Sequence, residues 1–278
     1  MRIYPMAFLC IRPSYPDAMA RQKKERNVKK NSGRVTLVLY LLALAASSYL
    51  VYDWWLDKRT GFAKYPGFGL SVPVGFGALG IDVSRHQGRI RWESVAAMRE
   101  RSLRLSFAFI KATEGFSLKD PEFKRNWRQA EKAGMLRGAY HFFLPYRSGK
   151  EQARHFISNV TLEKGDLPPV IDVEETYGTP VETVRSRVRE WLAEVERHYG
   201  MRPIIYTNAS FYSDVLGPGF DAYPLWVAHY LKRDKPRIGR EWSFWQFSET
   251  GRVDGILEKV DFNVFNGDSS ELLDLTKR

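Results

Sequence analysis

From residue 78 onward, short apolar runs alternate with longer amphipathic stretches. The apolar runs predict strands over 78–83, 105–112, 136–143, 168–174, 202–207, 224–230, 242–247 and 258–263. The amphipathic stretches predict helices near 92–102, 121–133, 149–163 and 181–199, with a short helical turn after Thr207. Strands that alternate with helices favour a parallel sheet, and eight strands over about 190 residues favour a compact α/β barrel. The last three strands leave little room for helices between them.

A different pattern occupies residues 35–52, an uncharged and mostly apolar run of 18 residues. As a helix, this length is at the short end of what crosses a hydrocarbon core about 30 Å thick. Basic residues precede the run and Trp54-Trp55 follows it, so the pattern predicts a single-pass anchor with a cytoplasmic N-terminus. Ala43-Leu44-Ala45 keeps a cleaved signal peptide open, and a buried soluble helix is a further alternative.

Charge and composition narrow the class of protein. The 278 residues are 44% hydrophobic and 27% charged, which is typical of a globular chain. Of the formal net charge of +11, +7 lies in residues 1–34, so the excess belongs to a basic tail and favours no nucleic-acid partner. Cys10 is the only cysteine, which excludes a disulfide framework.

Residues 53–77 read as a Gly/Pro-rich linker ahead of a domain over 78–278. The segment from Gly75 to Gly80 matches the dinucleotide fingerprint G-x-G-x-x-G. That fingerprint requires a helix at its last glycine, whereas Gly80 opens an apolar run that reads as a strand. The sequence therefore predicts no nucleotide site here.

Acidic residues recur where predicted strands end. Asp82 lies near the end of the first strand, Asp172 and Glu174 close the fourth, and Asp261 lies in the last. Because side chains alternate along a strand, Asp172 and Glu174 share one face. Burial and mutual repulsion raise the pKa of at least one of them, as a general acid near neutral pH requires. Each acid taken alone also fits a helix cap or a turn.

Aromatic and amide side chains accompany these acids, and they are what a sugar-binding cleft needs. The candidate substrate-binding residues are Gln87, Tyr140, Phe142, Tyr206, Trp226, Tyr230, Trp245, Gln246 and Asn263. The five histidines lack metal-ligand spacing, and the chain has no Walker sequence and no G-x-S-x-G elbow. We therefore predict neither a metal nor a cofactor.

Eight motifs in series resemble the glycoside hydrolase family 25 muramidases, the Chalaropsis-type lysozymes. They are Gly80-Ile81-Asp82-Val83-Ser84 with Gln87-Gly88 and Trp92; Phe109-Ile110-Lys111-Ala112-Thr113-Glu114-Gly115; Gly138-Ala139-Tyr140-His141-Phe142; Asp172-Val173-Glu174; Ile205-Tyr206-Thr207-Asn208; Leu225-Trp226-Val227-Ala228; Trp245-Gln246-Phe247-Ser248; and Val260-Asp261-Phe262-Asn263. The resemblance spans roughly residues 78–267 and leaves out the tail and the apolar run.

The resemblance implies a modified (β/α) barrel of TIM type, with five β/α units followed by three strands. It implies hydrolysis of the β-1,4 bond from N-acetylmuramic acid to N-acetylglucosamine in peptidoglycan. By position, Glu174 is then the general acid/base, Asp172 its partner, and Asp82 and Asp261 the supporting acids. The implied partners are glycan strands and, through 35–52, a lipid bilayer, with the catalytic domain periplasmic or extracellular and no obligate protein partner evident.

Three chemical courses stay open for this reaction. Residues i and i+2 on a strand lie about 6.6 Å apart. A carboxylate nucleophile favours a pair about 5–5.5 Å apart, and about 6.5–9.5 Å leaves room for water. We therefore favour attack by the substrate's own 2-acetamido group, oriented by Asp172, over a covalent intermediate or inversion. A non-catalytic glycan-binding module and a polyanion or anionic-membrane binder that uses the basic tail are the competing functions.

Overall fold

The structure is a computed structural model that describes residues 35–52, 61–230 and 235–278. The chain forms two units, Met1–Leu56 and Asp57–Arg278, and each is described by itself. The predicted basic tail over 1–34 and the aromatic pair Trp54-Trp55 lie outside the described residues.

The first unit contains helix α1, Val35–Tyr52, whose bounds are those of the predicted apolar run. Among the described residues, α1 is the one helix long and apolar enough to cross a membrane, and signal sequences also satisfy this criterion. Its side chains are exposed to solvent, and Ser47 satisfies its hydroxyl within the helix by donating to the Ala43 carbonyl at 2.8 Å.

The second unit begins with a β-hairpin that the sequence did not predict. Strand β1 is Phe62–Tyr65 and strand β2 is Leu70–Pro73, paired antiparallel. Phe68, at the turn between them, is fully buried, and Phe62 packs edge-on against Trp245 at 5.8 Å. Part of the segment that the sequence predicts to be a linker, Phe62–Pro73, thus forms a hairpin. The glycines serve the turns of a short hairpin whose few apolar side chains pack onto the barrel.

Eight strands form a closed sheet, which confirms the predicted barrel-like α/β fold. They are β3 Ala78–Val83, β5 Leu103–Glu114, β7 Leu136–Phe142, β8 Val170–Asp172, β9 Ile204–Asn208, β10 Leu225–Ala228, β11 Phe244–Gly251 and β12 Val260–Phe265. The order around the sheet is β3-β12-β11-β10-β9-β8-β7-β5, and pairing of β5 with β3 closes it. Two short strands, β4 Arg99–Glu100 and β6 Leu118–Lys119, pair with β5 outside the closed sheet.

In the part of the second unit that the structure describes, five α-helices follow strands of the first part of the barrel and a sixth follows the last strand. They are α2 Trp92–Ala97, α3 Phe123–Lys132, α4 Gly149–Ile157, α5 Val181–Tyr199, α6 Ala209–Phe211 and α7 Ser269–Asp274. Two predicted helices are too long, because α2 gives way to β4 and α4 stops at Ile157. Beyond α4, the side chains of Ser158 and Asn159 bond back to the carbonyls of Arg154 and His155, which favours ending the helix.

One strand runs against the others. Strands β3, β5, β7, β8, β9, β10 and β11 are parallel, whereas β12 is antiparallel to both β11 and β3. The sequence predicts a parallel sheet, and the antiparallel β12 corrects that prediction. The start of β12 therefore lies at the barrel end where the other strands finish, and it brings Asp261 opposite Asp82.

Aromatic rings fill the interior of the barrel below that end. Phe109 stacks on Trp226 with ring centroids 4.5 Å apart, and Phe107 and Phe244 pack against Phe109. Gly80 makes room for them, because a Cβ at this position would lie 2.4 Å from the ring of Phe107. The glycine that ended the apparent dinucleotide fingerprint thus serves close packing inside the barrel.

Candidate active site

A cavity of about 560 Å³ opens at the barrel end where the parallel strands finish. Ligand sites of barrels built from parallel strands lie at this end, since the loops that follow the strands surround it. The lining side chains are Asp82, Val83, Ser84, His86, Gln87, Lys111, Tyr140, Phe142, Asp172, Glu174, Tyr206, Trp226, Tyr230, Gln246, Glu249 and Asp261.

Asp82 lies near the end of β3 and accepts two amide hydrogen bonds on one oxygen. Nε2 of Gln246 and Nδ2 of Asn263 each donate to Oδ2 of Asp82 at 2.8 Å. Burial raises the pKa of Asp82, and the two amides oppose that rise because they stabilise the carboxylate.

The orientation of both amides is fixed from their other side. The indole Nε1 of Trp226 donates to Oδ1 of Asn263 at 2.7 Å. The hydroxyls of Tyr206 and Tyr230 lie 2.8 and 2.6 Å from Oε1 of Gln246. Because these donors engage the amide oxygens, the amide nitrogens of Gln246 and Asn263 must face Asp82.

Asp261 completes a carboxyl pair with Asp82. The two residues are direct partners in the register of β12 with β3. Burial, the charge of Asp82 and a hydrogen bond to it raise the pKa of Asp261 to about 9. The hydrogen bond between the two carboxyls therefore favours a proton on Asp261 over one on Asp82.

Asp172 and Glu174 lie on the neighbouring part of the wall. Val173 between them is fully buried in the layer outside the barrel, so the two acids share the inner face as the alternation predicts. Burial raises the pKa of both carboxyls, most strongly that of Asp172, which also feels the charge of Glu174.

Oδ1 of Asp172 is a buried acceptor with no hydrogen-bond partner within the described residues. Buried polar atoms are normally paired, and an unpaired one in a cavity wall points to a function. Asp172 also lines the cavity beside Glu174, so its carboxyl is placed to meet a donor that enters there.

Lys111 contributes a cation to this acidic wall. Its Nζ forms an ion pair with Glu114 at 2.8 Å and lies 4.6 Å from the ring centre of Phe142. The positive charge of Lys111 lowers the pKa of Asp172 against the effects of burial. Lys111 therefore favours the ionised form of its neighbour.

The structure brings most of the predicted site residues together. All four acids line the cavity, as do Gln87, Tyr140, Phe142, Tyr206, Trp226, Tyr230 and Gln246. Asn263 lies behind the wall and acts through Asp82. Trp245 packs outside the barrel against Phe62 and Phe247 and donates to the His229 carbonyl at 2.9 Å.

Sequence reasoning missed five lining residues: Val83, Ser84, His86, Lys111 and Glu249. Lys111 lies in the motif from Phe109 to Gly115, for which the sequence predicts no chemical role. Its place on β5 opposite Tyr140 of β7 was the available signal, because both strands end at the cavity. Among the described residues, no group of three or more His, Cys, Asp or Glu side chains is arranged to hold a metal ion.

Comparison with known families decides the class of this site. The family described as Glycosyl hydrolases family 25 matches residues 81–256, which include Asp82, Asp172 and Glu174, and Asp261 follows five residues beyond the matched range. The chain belongs to this family. It is a glycoside hydrolase, an enzyme, and its closed sheet matches the folds of family 25 lysozymes.

Relatives and solved structures agree with that placement. Lysozyme M1 from Streptomyces globisporus is 36% identical over 295 residues, covering 95% of this chain and 98% of the lysozyme. The protein YegX from Escherichia coli K12 is 49% identical over 212 residues, covering 76% of this chain and 78% of YegX. The crystal structure of a Streptomyces coelicolor lysozyme has a TM-score of 0.65 and 39% identity, over 72% of this chain and 97% of that one.

Proposed function

We propose that the enzyme hydrolyses peptidoglycan at the β-1,4 bond between N-acetylmuramic acid and N-acetylglucosamine. Family membership and similarity to lysozymes and muramidases support the substrate. The pairing of Glu174 with the unpaired oxygen of Asp172 in one cavity wall carries the assignment of roles.

Glu174 acts as the general acid and then as the general base. Burial raises the pKa of Glu174, which favours its protonated form, and that proton is transferred to the glycosidic oxygen as the bond breaks. After the leaving group departs, the carboxylate of Glu174 deprotonates the water that completes hydrolysis.

Asp172 supports attack by the 2-acetamido group of the substrate. Its carboxylate accepts the amide N–H, which turns the acetamido oxygen toward the anomeric carbon. In its ionised form Asp172 also stabilises the positive charge that develops on the acetamido group, and the charge of Lys111 favours that form against the effect of burial. Asp82 and Asp261, with one proton between them, form the opposite polar wall.

Digestion of purified peptidoglycan tests the bond cleaved. Mass spectrometry of the products should find muramic acid at the new reducing ends, and glucosamine there would overturn the assignment. Anomeric NMR of the first product should show retention, which attack by the acetamido group requires; inversion would exclude that course.

A matched pair of variants tests the acid. Glu174→Gln should lower kcat about 10²–10⁴-fold, because the general acid is lost without a large change of shape. Glu175→Gln is the control, since Glu175 is the next acid along the chain and is exposed. Near wild-type lysis by Glu174→Gln would contradict the assigned role.

We also propose that α1 anchors the enzyme in a membrane, with residues 1–34 cytoplasmic and the barrel periplasmic or extracellular. The length and composition of α1 and the preceding basic residues support this topology. Intact-mass measurement of the membrane-bound protein should find the N-terminal segment retained. A mature chain that begins after Ala45 would show a cleaved signal peptide instead.

We also propose that the closed sheet and its helices form a modified (β/α) barrel of TIM type, with five β/α units followed by three strands. In support, a helix follows each of β3, β5, β7, β8 and β9, whereas no α-helix lies between β10 and β12 among the described residues. A crystal structure with a helix between β11 and β12 would contradict this interpretation.

A further inference from the structure

Three exposed aromatic side chains stand beyond the cavity on consecutive neighbours of the sheet. Phe116 follows β5, Tyr146 follows β7 and Tyr177 follows β8, and these three strands are adjacent in the barrel. The side chains are 47%, 47% and 49% exposed, respectively. We call these three residues the aromatic ridge.

The ridge is held together by its own contacts. The guanidinium of Arg147 lies 4.9 Å from the ring centre of Phe116 and 5.5 Å from that of Tyr146. Tyr146 meets Tyr177 edge to face, with ring centroids 5.9 Å apart and an interplanar angle of 83°. The three rings and the guanidinium therefore form one continuous surface.

The backbone under the ridge is fixed as well. Nε2 of Gln152 donates to the Leu144 carbonyl at 2.9 Å, and Nη1 of Arg187 donates to the Pro145 carbonyl at 2.6 Å. Tyr177 has a φ of +47°, a left-handed conformation that strains a residue with a side chain. Such strain persists where the surroundings impose it, and it concentrates at functional sites.

The ridge begins where the wall of the cavity ends. Glu114, the ion-pair partner of Lys111, precedes Phe116 by two residues, and the Gly115 amide donates to the Phe142 carbonyl at 3.0 Å. Tyr177 follows Glu174 by three residues. A polymer bound across Glu174 and Asp172 can therefore continue directly over the ridge.

We propose that the aromatic ridge stacks pyranose rings of the glycan strand at a distance from the bond that is cleaved. This proposal rests on the proposed function. Pyranose rings have flat apolar faces that match exposed aromatic planes, and their hydroxyls find a polar partner in the guanidinium of Arg147. The ridge thus gives the enzyme a preference for long strands over short oligosaccharides.

Chain-length dependence of hydrolysis tests the proposal. The substrates are stem-free tetrasaccharides and stem-free long strands of alternating N-acetylmuramic acid and N-acetylglucosamine. Tyr146→Ala and Tyr177→Ala should each lower kcat/KM on long strands about 2–10-fold, mainly through KM, and change tetrasaccharide hydrolysis less than about 2-fold. Leu257→Ala is the control, because Leu257 is 99% exposed and lies in the loop before β12.

Equal losses on the two substrates would overturn the proposal in favour of a structural role for the ridge. A loss seen only when stem peptides are present would overturn it in favour of peptide recognition. Calorimetric titration of Glu174→Gln with the long strands makes the test independent of cleavage. Adding Phe116→Ala, Tyr146→Ala and Tyr177→Ala to that variant should weaken binding at least about 10-fold. Unchanged affinity would overturn the proposal that the aromatic ridge binds the glycan strand. Failure of the wild-type enzyme to cleave the strands would overturn the proposed function alone.

Discussion

Asp82 and Asp261 face each other across the antiparallel pair of β3 and β12, and a hydrogen bond joins their carboxyl groups. Like charges placed directly opposite each other in a sheet repel, so the pair is stable only with a proton between them. The amide donors on Asp82 and the raised pKa of Asp261 place that proton on Asp261. The pair is thus an acid and a carboxylate with separate roles.

This division predicts that Asp261 destabilises the fold at high pH. Its pKa rises from 3.8 in the unfolded chain to about 9 in the folded one, so the folded state binds the proton more tightly. The resulting stabilisation is fully present below the unfolded pKa and is lost as pH rises through the folded pKa. Asp261→Asn should flatten the dependence of Tm on pH between 4 and 9 and stabilise the protein at pH 8 by about 1 kcal/mol. Activity should fall in the same variant.

Thermal unfolding across that pH range checks the effect of Asp261→Asn. Asp254→Asn is the control, because Asp254 is exposed in the preceding loop. A slope of Tm against pH that matches the wild type in both variants would show that the proton does not reside on Asp261.

Two tryptophans allow a matched test of the amide network. Trp226→Phe removes the indole donor that orients Asn263, so the amide can turn its oxygen toward Asp82, and kcat should fall about 10-fold. Trp245→Phe makes the same change outside the barrel and should lower Tm with kcat within about 2-fold of wild type. Steady-state kinetics and thermal unfolding of both variants separate the two effects. An equal loss of kcat in both would argue for general loosening of the barrel.

Lys111 should set the acidic limb of the pH–rate profile. Lys111→Met removes the charge that lowers the pKa of Asp172, so protonation of Asp172 should begin at higher pH and the acidic limb should move upward. Lys111→Arg keeps a positive charge and should leave the limb close to that of the wild type. The measurement is the profile of kcat/KM against pH. If the profiles of Lys111→Met and the wild type superimpose, Lys111 does not set the acidic limb.

Gly80 is expected to tolerate no side chain. Gly80→Ala places a Cβ 2.4 Å from the Phe107 ring, which is itself packed on every side, and should destabilise the fold by about 1–3 kcal/mol. Gly239→Ala is the control, because a Cβ there would meet no atom within 4 Å. Chemical denaturation of both proteins gives the two free energies of unfolding. A Gly80→Ala variant as stable as the control would mean that the aromatic interior can rearrange.

The sequence predicts the strands of the barrel well because apolar runs of this length have few alternatives. It does not predict the direction of β12, since the alternation of side chains is the same in either direction. The hairpin over 61–74 is missed because its strands are four residues long and its glycines resemble those of a linker.

Within the site, the alternation of side chains along a strand separates residues that the prediction had placed together in the cavity. Trp245 and Gln246 are neighbours on β11, so they cannot both face the cavity, and the structure turns Gln246 inward. Lys111 and the aromatic ridge depend on contacts between different loops, which one-dimensional spacing does not encode. The four carboxyls, by contrast, are recognisable because acids at the ends of buried strands have few structural reasons to be there.

Asp82 and Asp261 belong to the first and last strands of the closed sheet, with nearly the whole domain between them. The polar wall that they form therefore comes into being only when the chain has been made through β12 and the circle of strands has closed. A nascent or partly translocated chain possesses Asp172 and Glu174 but not the acid pair opposite them. The four carboxyls therefore come together only in a barrel that contains both its first and its last strand.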